Sequence, residues 1–140
     1  MNSDNEMKQI LLSAKTIASV GLSSSPQKES YGIDLYLQEQ GYRIIPVNPT
    51  ATEILGETSY PDLESVPERI DVVQVFRKPE DVPPVVDSAI KIGAKVVWMQ
   101  EGIVNEEAAQ KARAAGLQVV MDACMRATHQ RLIGRRLVSL

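Results

Sequence analysis

Apolar residues cluster in five short runs: Thr16 to Val20, Arg43 to Val47, Asp71 to Phe76, Lys95 to Met99 and Leu117 to Met121. Each is rich in β-branched residues and does not alternate with polar positions. A strand with one wet face alternates, whereas a continuous run fits a strand covered on both faces, as in a parallel sheet. Parallel strands need crossover connections, and the intervening segments carry helical periods. Val82, Val86, Ala89 and Ile90 fall at i, i+4, i+7 and i+8, and Ala108, Ala112 and Ala115 follow a similar spacing. Asn105 stands as an N-cap before Glu106 and Glu107, and Gly116 stands where that helix should stop. Gly41 and Gly93 play the same stop role before their strands. Met7, Ile10, Leu11 and Ala14 share one face of a leading helix, and a tail helix is expected around Cys124 to Leu132.

Strand and helix thus alternate through five strands. The pattern predicts an α/β, Rossmann-like doubly wound sheet of five parallel strands, order 3-2-1-4-5, with helices on both faces. Ligands of such sheets bind beyond the carboxyl ends of the strands, at the switch point. Gly21 to Ser25, Asn48, Phe76 to Lys78 and Gln100 to Gly102 then surround one crevice. The proline-punctuated segment from Pro49 to Arg69 is expected to be a structured loop covering it.

The 140 residues, 44% of them hydrophobic, suffice for one domain spanning 1–140 and fall short of two ordinary ones. A net charge of −3 supplies no global field for nucleic acid or an anionic membrane. No apolar stretch nears the roughly 18 residues that span a bilayer, and Met1-Asn-Ser-Asp-Asn-Glu lacks signal-peptide character. A single cysteine, Cys124, allows no internal disulfide. A cytoplasmic protein that binds a small molecule, with neither nucleic acid nor membrane as partner, is the expectation.

The chemistry concentrates after the first strand. Thr16 to Ser30 reads as an apolar run that stops at Gly21, passes through Ser23, Ser24 and Ser25, and restarts as a helix. Glycine lets a backbone approach an anion, and free amides at a helix N-terminus favour negative charge, so a phosphate-bearing ligand is expected. The dinucleotide fingerprint G-x-G-x-x-G is absent, and strand two ends in Asn48-Pro49 without the acidic residue that grips ribose hydroxyls. Walker A is absent as well.

These blocks resemble the small stand-alone CoA-binding proteins, which are similar to the N-terminal CoA-binding domain of the succinyl-CoA synthetase alpha subunit. The likeness covers nearly the whole chain. It rests on Val20-Gly21-Leu22-Ser23 with Pro26 and Ser30-Tyr31, on Gly41-Tyr42-Arg43-Ile44-Ile45-Pro46-Val47-Asn48-Pro49, on Leu55-Gly56-Glu57 and on Val75-Phe76-Arg77. It continues through Gly93 to Gln100, Gly102-Ile103, Asn105-Glu106 and Val119 to Asp122 with Cys124. The resemblance implies coenzyme A or an acyl-CoA as ligand, with Gly21, Leu22, Ser23, Ser24 and Ser25 at the pyrophosphate. Lys28 stands where the family often has arginine. Asn48 and Pro49 would border the adenosine, and Arg77 or Lys78 would compensate for Thr50, where the family often has a basic residue. Phe76, Gln100, Glu101 and Gly102 complete the expected site, the last three along the pantetheine arm.

No catalytic constellation accompanies the turn. His129 is the lone histidine and is expected to cap a helix or face solvent, and no His/Cys cluster suggests a metal. Cys124 follows the last strand, with Ala123 where relatives usually carry arginine, and reads first as a buried inert thiol, with a mixed disulfide to the CoA thiol as the outside alternative. Phe76 and Trp98 read as packing residues. Arg126, Arg131, Arg135 and Arg136 read as a solvated face or a subunit contact. The leading expectation is a CoA or acyl-CoA binder without catalysis of its own. The alternatives are a small NAD(P)-linked oxidoreductase, or a CoA-presenting subunit of a separate ligase; a homo-oligomer is compatible with any of them.

Overall fold

The computed structural model of the chain describes residues 2–134; Arg135 and Arg136, assigned above to a basic tail, lie outside them. Ser3 caps helix α1 (Asp4–Ser13) by accepting from the Glu6 amide. There follow β1 (Thr16–Val20), α2 (Glu29–Glu39), β2 (Arg43–Val47) and a small antiparallel hairpin of β3 (Glu53–Ile54) and β4 (Glu57–Thr58). Then come β5 (Val72–Val75), α3 (Val82–Lys91), β6 (Val96–Met99), α4 (Glu106–Ala114), β7 (Gln118–Val120) and α5 (Met125–Leu132). Asn105 caps α4 as expected, accepting from the Ala108 amide at 3.0 Å.

The five expected strands form one parallel sheet in the order β2-β1-β5-β6-β7. Counting only these strands, that is 2-1-3-4-5, and the expected 3-2-1-4-5 is corrected. Pro46 gives the reason. Strand three beyond strand two would make β2 internal, and an internal strand must donate to both neighbours. Pro46 has no amide to give, which confines its strand to the sheet edge. Its carbonyl accepts from the Tyr60 amide at 3.0 Å, and the Asn48 amide donates to the Tyr60 carbonyl at 2.8 Å, so a loop residue covers that edge.

The Pro49 to Arg69 segment is therefore the crossover from β2 to β5 and does not cover the crevice. Its hairpin is held by Arg43, which pairs with Glu57 and Glu68, and Leu63 is buried beside α3.

Right-handed crossovers decide which helix covers which face. The chain steps one way from β1 to β2 and the other way from β2 to β7, so α2 takes one face and α3 with α4 the other. Ala18, Val20, Ile45, Val47, Val73, Val75, Val97 and Met99 are buried on the α3/α4 face. Ile17, Ile44, Val72, Val96, Trp98 and Val120 are buried under α1, α2 and α5. Each fully buried aliphatic side chain contributes about 1.5–3 kcal/mol to this sandwich. Trp98 is wholly buried, as its packing assignment required, and its Nε1 donates to the Ala123 carbonyl at 2.8 Å.

Candidate functional site

The switch point lies between β1 and β5, because the chain leaves these neighbours in opposite directions. At their carboxyl ends Gly21 has φ +91, and a Cβ there would sit 2.5 Å from the Phe76 carbonyl oxygen. Only glycine permits this backbone and this approach at once. The Gly21 amide donates to the Val47 carbonyl, which ties the turn to β2 as well.

The serine turn is ordered by its own hydroxyls. Ser23 accepts from the Ser25 amide at 3.0 Å, and Ser30 accepts from the Ser23 amide at 3.1 Å. Helix α2 then begins with Lys28 at its N-cap, which makes no side-chain capping bond. An uncapped N-terminus leaves first-turn amides for an outside acceptor, backed by the helix dipole.

Beside this N-terminus lies a cavity of about 340 Å³ lined by Glu29, Ser30, Ile33, Phe76, Arg77, Lys78, Gln100, Glu101, Ile103 and Cys124. Its charges alternate in sign, Glu29 and Glu101 against Arg77 and Lys78. Of the residues expected from sequence, Phe76, Arg77, Lys78, Gln100 and Glu101 meet here. Gly21 forms the floor of the adjoining turn, and Ser23 reaches the cavity through Ser30. Ser24, Ser25 and Lys28 stand on the turn outside the lining.

Other expected residues are engaged elsewhere. The Leu22 side chain is fully buried in the core, so only its backbone faces the turn. Asn48 donates to the Leu22 carbonyl at 2.9 Å and accepts from the Thr50 amide and hydroxyl at 2.8 Å, so it fastens the turn. Pro49 is exposed beside it. Gly102 donates to Asp122 Oδ1 at 2.6 Å, which joins the β6 loop to the end of β7.

Sequence reasoning passed over Glu29, Ser30, Ile33 and Ile103 as lining residues, and it expected Cys124 to be inert and buried. The thiol is half-buried on the cavity wall. It also passed over a polar chain beneath the floor. Asp34, Ser19 and Gln74 are fully buried, and Gln74 Nε2 donates to Asp34 Oδ1 at 2.7 Å and to Ser19 Oγ at 2.9 Å. Gln100 Nε2 in turn donates to Gln74 Oε1. Burial pushes the Asp34 carboxyl up to about 7, against hydrogen bonds from Ser19 and Gln74 that favour the ion.

His129 departs from its expected surface or capping role. It is buried, its Nδ1 lies 2.7 Å from the Tyr36 hydroxyl, and Tyr36 and Tyr42 pack edge-on against its ring. A hollow of similar volume adjoins it, lined in part by Leu11, Lys15, Gln40 and Tyr42. These residues precede β1 and β2, so that hollow opens at the amino ends of the strands, away from the switch point. Among the described residues no group of His, Cys, Asp and Glu could hold a metal, and no helix is long and apolar enough to cross a membrane.

Comparison with known proteins gives the family and agrees with the fold. The family model of the CoA binding domain matches residues 15–130. The uncharacterized protein YneT of Bacillus subtilis (strain 168) is 43% identical over 124 residues, covering 89% of this chain and 92% of YneT. A hypothetical protein from Pyrococcus horikoshii OT3 superposes with a TM-score of 0.92 at 43% identity, over 95% of this chain and 94% of that one. The dinucleotide forming acetyl-coenzyme A synthetase 1 of Ca. Korarchaeum cryptofilum superposes with a TM-score of 0.67 at 31% identity. That match covers 75% of this chain and 25% of the synthetase.

Proposed function

The chain belongs to the CoA binding domain family, and from that premise we propose that it binds coenzyme A or an acyl-CoA in the cavity at the carboxyl ends of β1, β5 and β6, without catalysing a reaction of its own. The observation that carries the reading is the meeting, at one cavity, of the first turn of the uncapped helix α2 and the cations Arg77 and Lys78, with the Gly21 turn adjoining it. In this assignment the amides and hydroxyls of Gly21 to Ser25 take the pyrophosphate, with Lys28 alongside. Arg77 and Lys78 neutralise a further phosphate, Arg77 as a two-pronged donor. Asn48 and Pro49 shape the adenosine side by holding the turn. Phe76, Gln100, Glu101 and Gly102 flank the pantetheine arm, whose amides need buried polar partners.

The ligase in the comparison is an acetyl-coenzyme A synthetase, so the relationship that stands is to the domains of acyl-CoA ligases. Kinship with the succinyl-CoA synthetase alpha subunit in particular is part of the proposal, as is a cytoplasmic location. One observation favours a second reading. The domain makes up 25% of that synthetase, which suits a chain that presents CoA to a separate ligase polypeptide; activity appearing only when the two are mixed would mark this case. An NAD(P)-linked oxidoreductase is disfavoured, because Asn48 stands in place of the ribose-gripping acid and its amide is already bonded to Leu22 and Thr50.

Isothermal titration with CoA, dephospho-CoA and NADP tests the assignment. CoA should bind, with dephospho-CoA about tenfold weaker for the loss of one charge-assisted contact. Saturation by NADP without heat from CoA would overturn it.

A further inference from the structure

Gln100 touches both the cavity and the buried polar chain beneath it. It lines the cavity wall, yet its side chain is almost wholly enclosed. Its Nε2 donates to Gln74, and its Oε1 lies 3.4 Å from the Met125 amide, the first of α5. The orientation of this amide is dictated from behind. Gln74 gives its amino group to Ser19 and Asp34, so only its oxygen is left for Gln100. A carboxylate accepts and cannot donate, whereas a protonated carboxyl can do both. Asp34 in its charged form therefore enforces one donor order from α2 to the cavity, and in its neutral form it releases that constraint.

Two further facts bear on Asp34. Its Oδ2 is buried without a hydrogen-bond partner. Ser30, one turn earlier on the same helical face as Asp34, lines the cavity. Relative to the proposed function, on which it rests, the inference concerns how that site is regulated.

We propose that Asp34 is a proton-linked positioning residue of the coenzyme cavity, acting through Gln74 on Gln100, so that ligand in the cavity and a proton on Asp34 favour one another.

The sign follows from the ligand. An anionic coenzyme covering Gln100 excludes water and adds negative charge above Asp34, and both disfavour the carboxylate. Linkage then requires protonation to tighten binding by the same factor. A carboxyl already raised to about 7 by burial exchanges its proton near neutrality. The charged and titratable groups of the surrounding elements are Lys28, Glu29, Tyr31, Tyr36 and Glu39 at or on α2, Arg43 on β2, and Cys124, Arg126, His129 and Arg131 at or on α5, with Arg77, Lys78 and Glu101 at the mouth. Of these, Arg126 comes within 3.4 Å of where a Cβ would stand on Gly32, and none hydrogen bonds to Asp34 among the described residues.

The test is titration of CoA into wild type and Asp34→Asn at pH 6 and pH 8, in buffers of different ionisation enthalpy. The coenzyme's own groups titrate alike with both proteins, so the difference belongs to Asp34. Wild type should lose about fivefold more affinity than the variant between the two pH values, the result of a one-unit rise on binding, and should take up correspondingly more protons. Should the variant not fold, the ¹³C shift of the Asp34 carboxyl in wild type decides, since its midpoint should move upward when CoA is added. Equal proton uptake in both proteins, or a carboxyl midpoint unmoved by CoA, overturns the inference. No heat from CoA with folded wild type overturns the coenzyme assignment itself.

Discussion

Replacing Asp34 by asparagine removes a buried charge while keeping the size of the side chain and an oxygen for Gln74. Burial sets the native carboxyl at about 7 against an ordinary value of 3.8. The unfolded chain therefore loses its proton first, and between these values the folded state holds one more proton than the unfolded. Stability from this group is complete below about pH 3.8 and is lost as pH rises through 7. At roughly 1.4 kcal/mol per unit the full loss approaches ~4 kcal/mol, of which about 2.5–3 kcal/mol falls between pH 5 and pH 8. The variant lacks this loss. Urea unfolding of both proteins at pH 5, 6, 7 and 8, without ligand, should show the variant gaining on wild type by that amount as pH rises, with m-values unchanged. A difference between the two proteins that stays constant within about 0.5 kcal/mol over this range would refute the buried-carboxyl reasoning.

Three further substitutions probe other parts of the account. Gly21→Ala forces a Cβ to within 2.5 Å of the Phe76 carbonyl at φ +91; it should cost roughly 2–4 kcal/mol in denaturant unfolding and weaken CoA binding together. Arg77→Ala should leave the melting temperature within a degree or two and weaken CoA about tenfold by calorimetry, with a shallower dependence on salt. Asp71 accepts from the Lys15 and Thr16 amides at 2.8 and 3.1 Å, and Lys95 stands 3.7 Å away. Although burial works against it, these contacts hold its carboxyl below the ordinary value. Asp71→Asn should therefore cost about 1 kcal/mol at neutral pH. That cost should fade as pH falls below about 4, through the lowered native value, which acid unfolding curves of both proteins will show.

What the sequence made legible follows from what a pattern can carry. Mostly apolar, β-branched runs identified all five strands of the sheet, because burial on both faces leaves few places for polar residues. The N-cap at Asn105 was legible because one side chain makes it. Strand order was not, since it depends on which edges pair; yet Pro46 carried the missing information, as a residue with nothing to donate can stand only at an edge. The polar chain was half-visible. Asp34 falls between Ile33 and Leu37 on the inward stripe of α2, and Gln74 interrupts an otherwise aliphatic strand, so each announced a buried partner without naming it. His129 was misjudged because its partners, Tyr36 and Tyr42, come from the far half of the chain. Of the expected site, the strand-end residues Phe76, Arg77, Lys78, Gln100 and Glu101 do meet at one cavity, because topology alone brings them there. Leu22 and Asn48 are spent on packing and on fastening the turn, which no motif reveals.

Backbone amide shifts followed by NMR as CoA is added test the central claim most directly. The account predicts saturable changes concentrated in Gly21 to Ser30, Phe76 to Lys78, Gln100 to Gly102 and Cys124. Changes gathered instead around Leu11 to Lys15 and Gln40 to Tyr42, at the opposite ends of the strands, or no changes at millimolar CoA, would contradict it.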